Sequence, residues 1–179
     1  MREPGAHAGD DVNVIIESPR GSSAKFKRDE QSGLFALSRP LPAGLVYPCD
    51  WGYIPGTLAE DGDPLDGFVL WDGHAYPGIL IVARPIGVLR VSQTPHATGV
   101  TVRNDRVALV PASDSRASAF RSIEDFPQRT RDELQQFFAA SVAFEAKRVE
   151  FQGWGGPGEA WETIRHAAST LREPPGTLR

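Results

Sequence analysis

Acidic side chains crowd one short segment of the chain, AEDGDPLDGF at residues 59–68. Four carboxylates fall within seven positions there, those of Glu60, Asp61, Asp63 and Asp66. In an extended segment the side chains of Asp61 and Asp63 point to the same side, and the fixed φ of Pro64 bends the chain so that Asp66 is expected to return towards them. Carboxylates held this close repel one another unless a cation lies among them, and hard oxygen ligands suit Mg²⁺, Mn²⁺ or Ca²⁺. The spacing therefore predicts a metal site, with a solvated acidic turn as the equal alternative.

Cationic side chains upstream of the acidic segment supply a second requirement of metal-assisted phosphoryl chemistry, which is groups that hold phosphate oxygens. Lys25, Lys27 and Arg39 lie on or near predicted strands. Taken alone, each is more simply explained as a solvated surface charge. The segment YPCDWGYIP at residues 47–55 is rich in aromatic residues, glycine and proline, and it predicts a packed loop whose tyrosine hydroxyls reach the surface.

Composition limits the class of protein. The chain has 179 residues, of which 40% are hydrophobic and 23% charged, as is typical of a soluble globular domain. Its formal net charge is −4 without a basic stripe, so a nucleic-acid partner is not expected. Cys49 is the only cysteine, which excludes a disulfide within the chain and favours a reducing, cytoplasmic location. The longest apolar run, residues 79–83, is too short to span a bilayer, so no membrane partner is expected.

The order of hydrophobic patterns predicts an α+β fold. Short β-rich runs bounded by turn residues occupy the first two-thirds of the chain, at residues 12–16, 24–27, 34–37, 66–71, 79–91 and 100–110. Apolar residues at helical spacing follow in two segments, Leu134, Phe137, Phe138 and Ser141, then Trp161, Ile164, Ala168 and Leu171. Many strands followed by two helices indicate a small barrel with helices on its outside. We expect one domain at residues 12–172, flanked by flexible tails at 1–11 and 173–179.

Seven stretches of the chain form a series of motifs. They are VIIESPRGSSAKF (14–26), LSRPL (37–41), VYPCDWGYIPGTL (46–58), EDGDPLDGFVL (60–70), PGILIVARPIGVLRV (77–91), IEDFP (123–127) and VEFQGWG (149–155). In type and order they resemble the family I soluble inorganic pyrophosphatases. The resemblance implies a five-stranded OB-like barrel with additional short strands and two main flanking helices. It also implies a cytoplasmic enzyme, often hexameric in bacteria, that hydrolyses pyrophosphate to two phosphates with Mg²⁺, or with Mn²⁺ in its place.

The resemblance also implies roles for individual residues. Asp61 and Asp66 would bind metal, with Glu17 in the outer shell and Asp105 as a further ligand. Asp63 would accept a proton from the attacking water or orient it, while divalent cations lower the pKa of that water. Phosphate oxygens would be held by Lys25, Arg39, Arg106 and Tyr47, the last of which would share the catalytic role of Asp63.

One loop departs from the family pattern where metal ligands are expected. The pattern has two metal-binding aspartates after the GVL strand, and the corresponding stretch here, RVSQTPHATGVTVRNDR, has its first carboxylate at Asp105. Gln93 stands at the first of the two positions, and Asn104, or Asp105 after a one-residue slip, stands near the second. The family's next lysine appears as Arg106. The loss of negative charge predicts a lower affinity for Mg²⁺.

Further substitutions change the groups that hold phosphate. Lys27 replaces an acidic residue, and we hypothesise that it pairs with phosphate itself. Trp51 replaces a tyrosine and has no hydroxyl to offer. On the first long helix a Tyr-Lys pair is replaced by Ser141 and Val142.

Three functions follow from these matches and departures. The first is an active, metal-dependent diphosphatase. The second is a weakened or inactive relative that binds phosphate, a nucleotide or a protein partner. The third is a hydrolase of a larger phosphate ester, for which the longer loop at residues 92–104 and the smaller side chains of Ser141 and Val142 make room.

Overall fold

The computed structural model describes residues 5–8 and 10–172. Within these residues the secondary structure consists, in chain order, of β1 (His7–Ala8), β2 (Asp11–Ser18), β3 (Ala24–Arg28), β4 (Phe35–Pro40), β5 (Asp50–Tyr53), β6 (Asp66–Val69), β7 (Leu80–Pro95), β8 (Val102–Arg103), β9 (Arg106–Pro111), α1 (Gln128–Ser141), β10 (Lys147–Gly155) and α2 (Pro157–Arg172). Two short 3₁₀ helices, Ala117–Ala119 and Ile123–Asp125, precede α1.

Five of the strands close into a barrel. β2 pairs with β5, β5 with β6, β6 with β9, β9 with β7, and β7 pairs back with β2. The β6–β9 pair is parallel and the other four are antiparallel. β1, β8 and β10 extend the sheet, while β3 and β4 form a separate hairpin. The predicted α+β fold, a five-stranded barrel with additional short strands and two helices, is confirmed.

β7 is the longest strand and contacts most of the sheet. Its 16 residues pair with β2, β8, β9 and β10. The register against β9 shifts between Pro85 and Gly87, which is the bend that proline and glycine predict in an otherwise apolar run. Its last residues pair with β8, Ser92 opposite Arg103 and Gln93 opposite Val102. The long loop expected at residues 92–104 is therefore partly an antiparallel arm.

β5 was not expected, because its sequence predicts a packed loop. All four of its residues are buried, so the alternation of apolar and polar residues that marks a half-buried strand is absent. In the barrel it places Tyr53 opposite Asp66 and Trp51 opposite Phe68. β5 thus fixes the aromatic segment beside the acidic one.

The two helices cover separate parts of the core. α1 buries Leu134, Phe137 and Phe138 in a cluster with Phe68 and Leu89 of the barrel. α2 buries alanine and isoleucine side chains in a second cluster with β2, β7 and β9. Burial of each large side chain contributes about 1.5–3 kcal/mol. Within the described residues, no helix is long and apolar enough to cross a membrane.

Of the tail expected at residues 1–11, the structure describes residues 5–8, 10 and 11. Ala6 is buried, and the β1 residues His7 and Ala8 pair with Val12 and Asp11 of β2. The ring of His7 stacks on Trp161 of α2 with centroids 5.8 Å apart. The expected tail at 173–179 lies outside the described residues.

Gly52 of β5 lies where the backbones of β5 and β2 approach each other closely. A Cβ at this position would lie 1.9 Å from the carbonyl oxygen of Ile15 on β2. We expect Gly52→Ala to lower the free energy of unfolding by about 1–3 kcal/mol, because the two backbones must separate. Urea unfolding measures the change. Gly156→Ala is the control, since a Cβ there meets nothing within 4 Å, and an equal effect of both substitutions would contradict the prediction.

Candidate active site

The acidic segment forms the loop that leads from β5 into β6. Thr57 closes the base of this loop, since its Oγ1 donates to the carbonyl of Ile54 (2.5 Å) and accepts from the amide of Leu65 (2.9 Å). Nearer the tip, the amide of Ala59 donates to the carbonyl of Asp63 at 2.9 Å. These bonds fix the backbone from which the carboxylates project.

Asp61 is held by amide donors. Its Oδ2 accepts from Nε2 of Gln93 at 3.0 Å and from Nδ2 of Asn104 at 2.9 Å, and its Oδ1 accepts from the amide of Asp63 at 3.2 Å. Burial raises the pKa of Asp61, and the Asp63 amide acts in the opposite direction. The two side chains at the expected aspartate positions, Gln93 and Asn104, are therefore bonded to Asp61.

Asp63 projects further from the barrel and pairs with Lys27. The distance from Nζ of Lys27 to Oδ2 of Asp63 is 2.7 Å, and the two side chains are 45% and 59% exposed. Burial opposes the charge of Lys27, but the hydrogen bond and charge of Asp63 outweigh it and raise the pKa of Lys27. A pair this exposed contributes little to stability, and its effect is to position Asp63. Lys27, expected to hold phosphate, is thus bonded to the expected catalytic carboxylate.

Glu17 lies near the end of β2, and Asp66 is the first residue of β6. The two carboxylates interact electrostatically. Burial raises the pKa of Glu17 to about 7 and that of Asp66 to about 6, and in each case a second carboxylate adds to the effect. Glu17 accepts the amide of Arg28 at 3.1 Å. A cavity of about 120 Å³ lies between them, lined also by Lys27 and Asp63.

Arg106 is a buried cation next to this cavity. It lies opposite Asp66 in the parallel β6–β9 pair, and its guanidinium sits 4.5 Å from the ring centroid of Phe138 and 5.4 Å from that of Trp51. Trp51 thus contributes an aromatic wall in place of a hydroxyl. Burial lowers the pKa of Arg106 and Asp66 raises it. Among the described residues, Nε and Nη1 of Arg106 have no hydrogen-bond partner.

Tyr47 is buried on the α1 side of the site. Its ring lies 5.1 Å from that of Phe137, measured between centroids. Burial raises the pKa of Tyr47 to about 12, and a hydrogen bond with Ser18 and the charge of Arg39 act against this. At neutral pH the hydroxyl therefore stays protonated and acts as a hydrogen-bond donor.

A row of polar contacts joins Arg39 to the acidic loop and includes two residues that motif analysis missed. Arg39 forms an ion pair with Glu145, and Glu145 forms one with Lys147 at 3.1 Å. Nζ of Lys147 also donates to Oε1 of Gln93 at 3.2 Å. Glu145 and Lys147 follow α1, the helix on which the family pattern places a lysine. The only sequence signal for these two residues was the mixture of acidic and basic side chains in EAKRVE. Ser141 instead donates to the carbonyl of Phe138 at 2.9 Å.

Asp105 does not join the other predicted metal ligands. Its Oδ1 accepts the amide of Val91 at 3.0 Å, and its Oδ2 pairs with Arg103. Neighbouring strand residues point to opposite faces, so Asn104 and Arg106 face the acidic loop and Asp105 faces away. The expectation that Asp105 binds metal is therefore not supported by its position.

The donor set at the site fits a hard divalent cation. Four carboxylates lie on or beside the acidic loop, those of Glu17, Asp61, Asp63 and Asp66. Oxygen donors of this kind suit Mg²⁺ and Mn²⁺ rather than metals that prefer thiolate or imidazole. Across residues 5–8 and 10–172, no three His, Cys, Asp or Glu side chains are already arranged around a common metal position. Asp63 is bonded to Lys27, and Asp61 to the amides of Gln93 and Asn104, so metal binding by these two carboxylates requires side-chain rotation.

Comparison with known proteins identifies the family. The sequence profile of inorganic pyrophosphatases matches residues 14–172. The inorganic pyrophosphatase of Synechocystis is 41% identical over 143 residues, which cover 80% of this chain and 81% of that protein. The chain belongs to the inorganic pyrophosphatase family. The family member from Sulfolobus acidocaldarius is 38% identical over 167 residues, covering 92% of this chain and 93% of its own length.

Solved structures of inorganic pyrophosphatases have the same fold. The enzyme from Helicobacter pylori superposes with a TM-score of 0.87 at 27% identity, covering 96% of this chain and 99% of that one. The one from Thermus thermophilus superposes with a TM-score of 0.84 at 36% identity, covering 94% and 95%. The pyrophosphatase resemblance seen in the motifs is therefore confirmed.

The buried Glu17 of this pyrophosphatase-family chain gives a pH prediction. Because its folded-state pKa of about 7 lies above the ordinary 4.5, the folded protein binds more protons than the unfolded chain between those values. Its contribution to stability therefore falls as the pH rises through that window. Glu17→Gln removes this titration. In the absence of divalent cations, we expect the variant to gain on the order of 1–3 kcal/mol relative to wild type across the window.

Urea unfolding in EDTA at several pH values measures this difference. Glu162→Gln, which removes one exposed carboxylate from α2, is the control. A Glu17→Gln difference that stays constant with pH would show that Glu17 does not titrate as its burial indicates.

Proposed function

We propose that this chain hydrolyses inorganic pyrophosphate to two phosphates, with a divalent cation and a water molecule as nucleophile. Mg²⁺ is the proposed cation, and Mn²⁺ is expected to replace it. The observation that carries the proposal is the position of Arg106, a buried cation with unpaired N–H donors beside the carboxylates of Asp61 and Asp66. One side of the site offers oxygens to a cation, and the other offers donors to phosphate oxygens.

The phosphate-holding side is built from several strands. Arg106 comes from β9, Lys25 and Arg39 face each other across the β3–β4 hairpin, and Lys147 comes from β10. Lys25 interacts electrostatically with Asp66, although burial lowers its pKa. Cationic donors in a partly desolvated site bind phosphate oxygens strongly.

Asp63 is the residue that handles the nucleophile. Lys27 bonds to its Oδ2, which leaves Oδ1 to orient the attacking water and to accept its proton. A divalent cation, when bound, lowers the pKa of water and neutralises phosphate charge. Asp66 would hold it together with Oδ1 of Asp61, the oxygen that the amides of Gln93 and Asn104 do not contact, with Glu17 further out.

Tyr47 has a binding role in this proposal. Its pKa of about 12 keeps the hydroxyl protonated, so it donates to a phosphate oxygen and does not act as a base. Its ring contact with Phe137 fixes its direction.

The test of the proposed function is phosphate release from pyrophosphate with Mg²⁺ and with Mn²⁺. We expect turnover by the wild type and a loss of about 100-fold or more in Asp66→Asn, because a central carboxylate is removed. Asp105→Asn is the matched control, since the same chemical change is made on the face turned away from the site. It should keep wild-type turnover.

Other outcomes would select among the remaining functions. A folded wild type that releases no phosphate with either cation would contradict the proposal. Release from a larger phosphate ester alone would then favour the altered-substrate hydrolase, and phosphate binding without turnover would favour the non-catalytic relative.

We also propose a cytoplasmic location. Cys49 is buried at 2% exposure, and burial raises the pKa of its thiol. It therefore serves as an unreactive core side chain. The chain has no second cysteine with which Cys49 could form a disulfide, and such cysteine usage is typical of a reducing compartment.

We further propose that the chain forms a homo-oligomer, a hexamer by family resemblance. Apolar side chains are exposed around the start of β7, where Tyr76 is 65%, Ile79 47%, Leu80 46% and Val82 40% exposed. Adjacent exposed apolar side chains of this size are typical of protein–protein contacts. A groove lined by Leu80, Val82 and Pro111 continues this surface.

The oligomer prediction is tested by light scattering after size exclusion. Wild type should elute well above the 19.5 kDa of one chain, and Leu80→Glu with Val82→Glu should reduce the mass, because two charges enter an apolar contact. Leu171→Glu is the control for one added charge at an exposed apolar position on α2. A monomeric wild type would refute the oligomer.

A further inference from the structure

Two amide side chains converge on one carboxylate oxygen at the proposed metal site. Nε2 of Gln93 lies 3.0 Å and Nδ2 of Asn104 lies 2.9 Å from Oδ2 of Asp61. The donors come from different strands: Gln93 from β7, and Asn104 from the residue pair that links β8 to β9. Both amides are largely buried, at 8% and 9% exposure.

The orientation of the Gln93 amide is fixed from its other end. Nζ of Lys147 donates to Oε1 of Gln93 at 3.2 Å. A lysine has only donors to offer, so the amide must present its oxygen to Lys147 and its N–H group to Asp61. Lys147 is in turn held by Glu145.

Asn104 is also fixed by the backbone beside it. Its amide N–H donates to the carbonyl of Val91 at 2.8 Å, which holds the residue against β7. The side chain of Asn104 therefore reaches Asp61 from a rigid position.

Acidic and basic side chains are equal in number around the site. The carboxylates here are Glu17, Asp61, Asp63 and Asp66, which influence one another, and Glu145, which interacts with the neighbouring cations. The cations are Lys25, Lys27, Arg39, Arg106 and Lys147. Aspartates at positions 93 and 104 would add two negative charges, and cations would then be needed to offset them.

We propose that the Gln93–Asn104 amide pair takes the place of a divalent cation at Oδ2 of Asp61. The substrate-free protein then binds one cation per chain fewer than the same fold with aspartates at both positions. This rests on the proposed function, since it assumes a metal-dependent site. An oxygen that accepts two N–H donors has its lone pairs occupied, so a cation at Oδ2 would have to break both bonds and would find neutral side chains behind them.

The experiment counts bound Mn²⁺ in substrate-free protein from the free-ion electron paramagnetic resonance signal. Gln93→Asp combined with Asn104→Asp should bind one more Mn²⁺ per chain than wild type. Asp105→Asn, made one residue along on the opposite face, should bind the same number as wild type. Thermal unfolding in EDTA establishes that each variant is folded.

Equal Mn²⁺ numbers in wild type and the folded double variant would overturn the inference, as would the loss of an ion in Asp105→Asn. If the double variant does not fold, the near-isosteric Asn104→Asp is measured instead. It must add an ion or tighten the weakest site by about tenfold or more, and no change overturns the proposal.

The number of bound Mn²⁺ ions distinguishes a failure of this inference from a failure of the proposed function. A wild type that hydrolyses pyrophosphate but binds as many ions as the double variant refutes the amide substitution alone. A wild type and variants that bind no Mn²⁺, with no phosphate release, refute both.

Discussion

The crowding of carboxylates at the start of β6 is the constraint on which the rest of the site depends. Lys27 pairs with Asp63, two amides bond to Asp61, and Lys25 and Arg106 interact with Asp66. Burial nevertheless raises the pKa of Asp66 to about 6. The neighbouring cations therefore offset only part of the cost of burying this charge. A bound cation would stabilise the charged form of such a carboxylate. The raised pKa values and the proposed metal dependence therefore have one physical cause, the burial of these carboxylates.

The barrel solves the problem of bringing distant residues to this loop. Parallel pairing of β6 with β9 puts Arg106 beside Asp66, although 40 positions separate them in sequence. β5 approaches β2 closely at Gly52, and on its other side it pairs with β6, where Tyr53 lies opposite Asp66. The ring of Phe138 from α1 then covers the guanidinium of Arg106. The site therefore depends on strand register more than on any one contact.

The sequence predicted the α+β barrel, both helices and the acidic loop, because these depend on local pattern and on a specific motif. It did not predict β5, whose buried residues show no alternation. It also left Asn104 and Asp105 undecided, since a one-residue slip exchanges the two faces of a strand. Only pairing with β7 settles which of them faces Asp61. Lys147 was missed because it reaches the site through tertiary pairing of β10 with β7.

Several departures from the family pattern are linked by contacts in the folded chain. The helix position that is expected to carry lysine is Val142, while Lys147 on β10 brings a cation to the same network. Lys147 bonds to Gln93, and Gln93 bonds to Asp61, so this cation and the position of the lost carboxylate are neighbours. An aspartate at 93 would attract Lys147 strongly and draw it away from Glu145, which also holds Arg39. The charge at position 93 is therefore coupled to Arg39 through the direct contacts of Lys147 and Glu145. The effect of the substitution at position 93 thus depends on these neighbouring side chains.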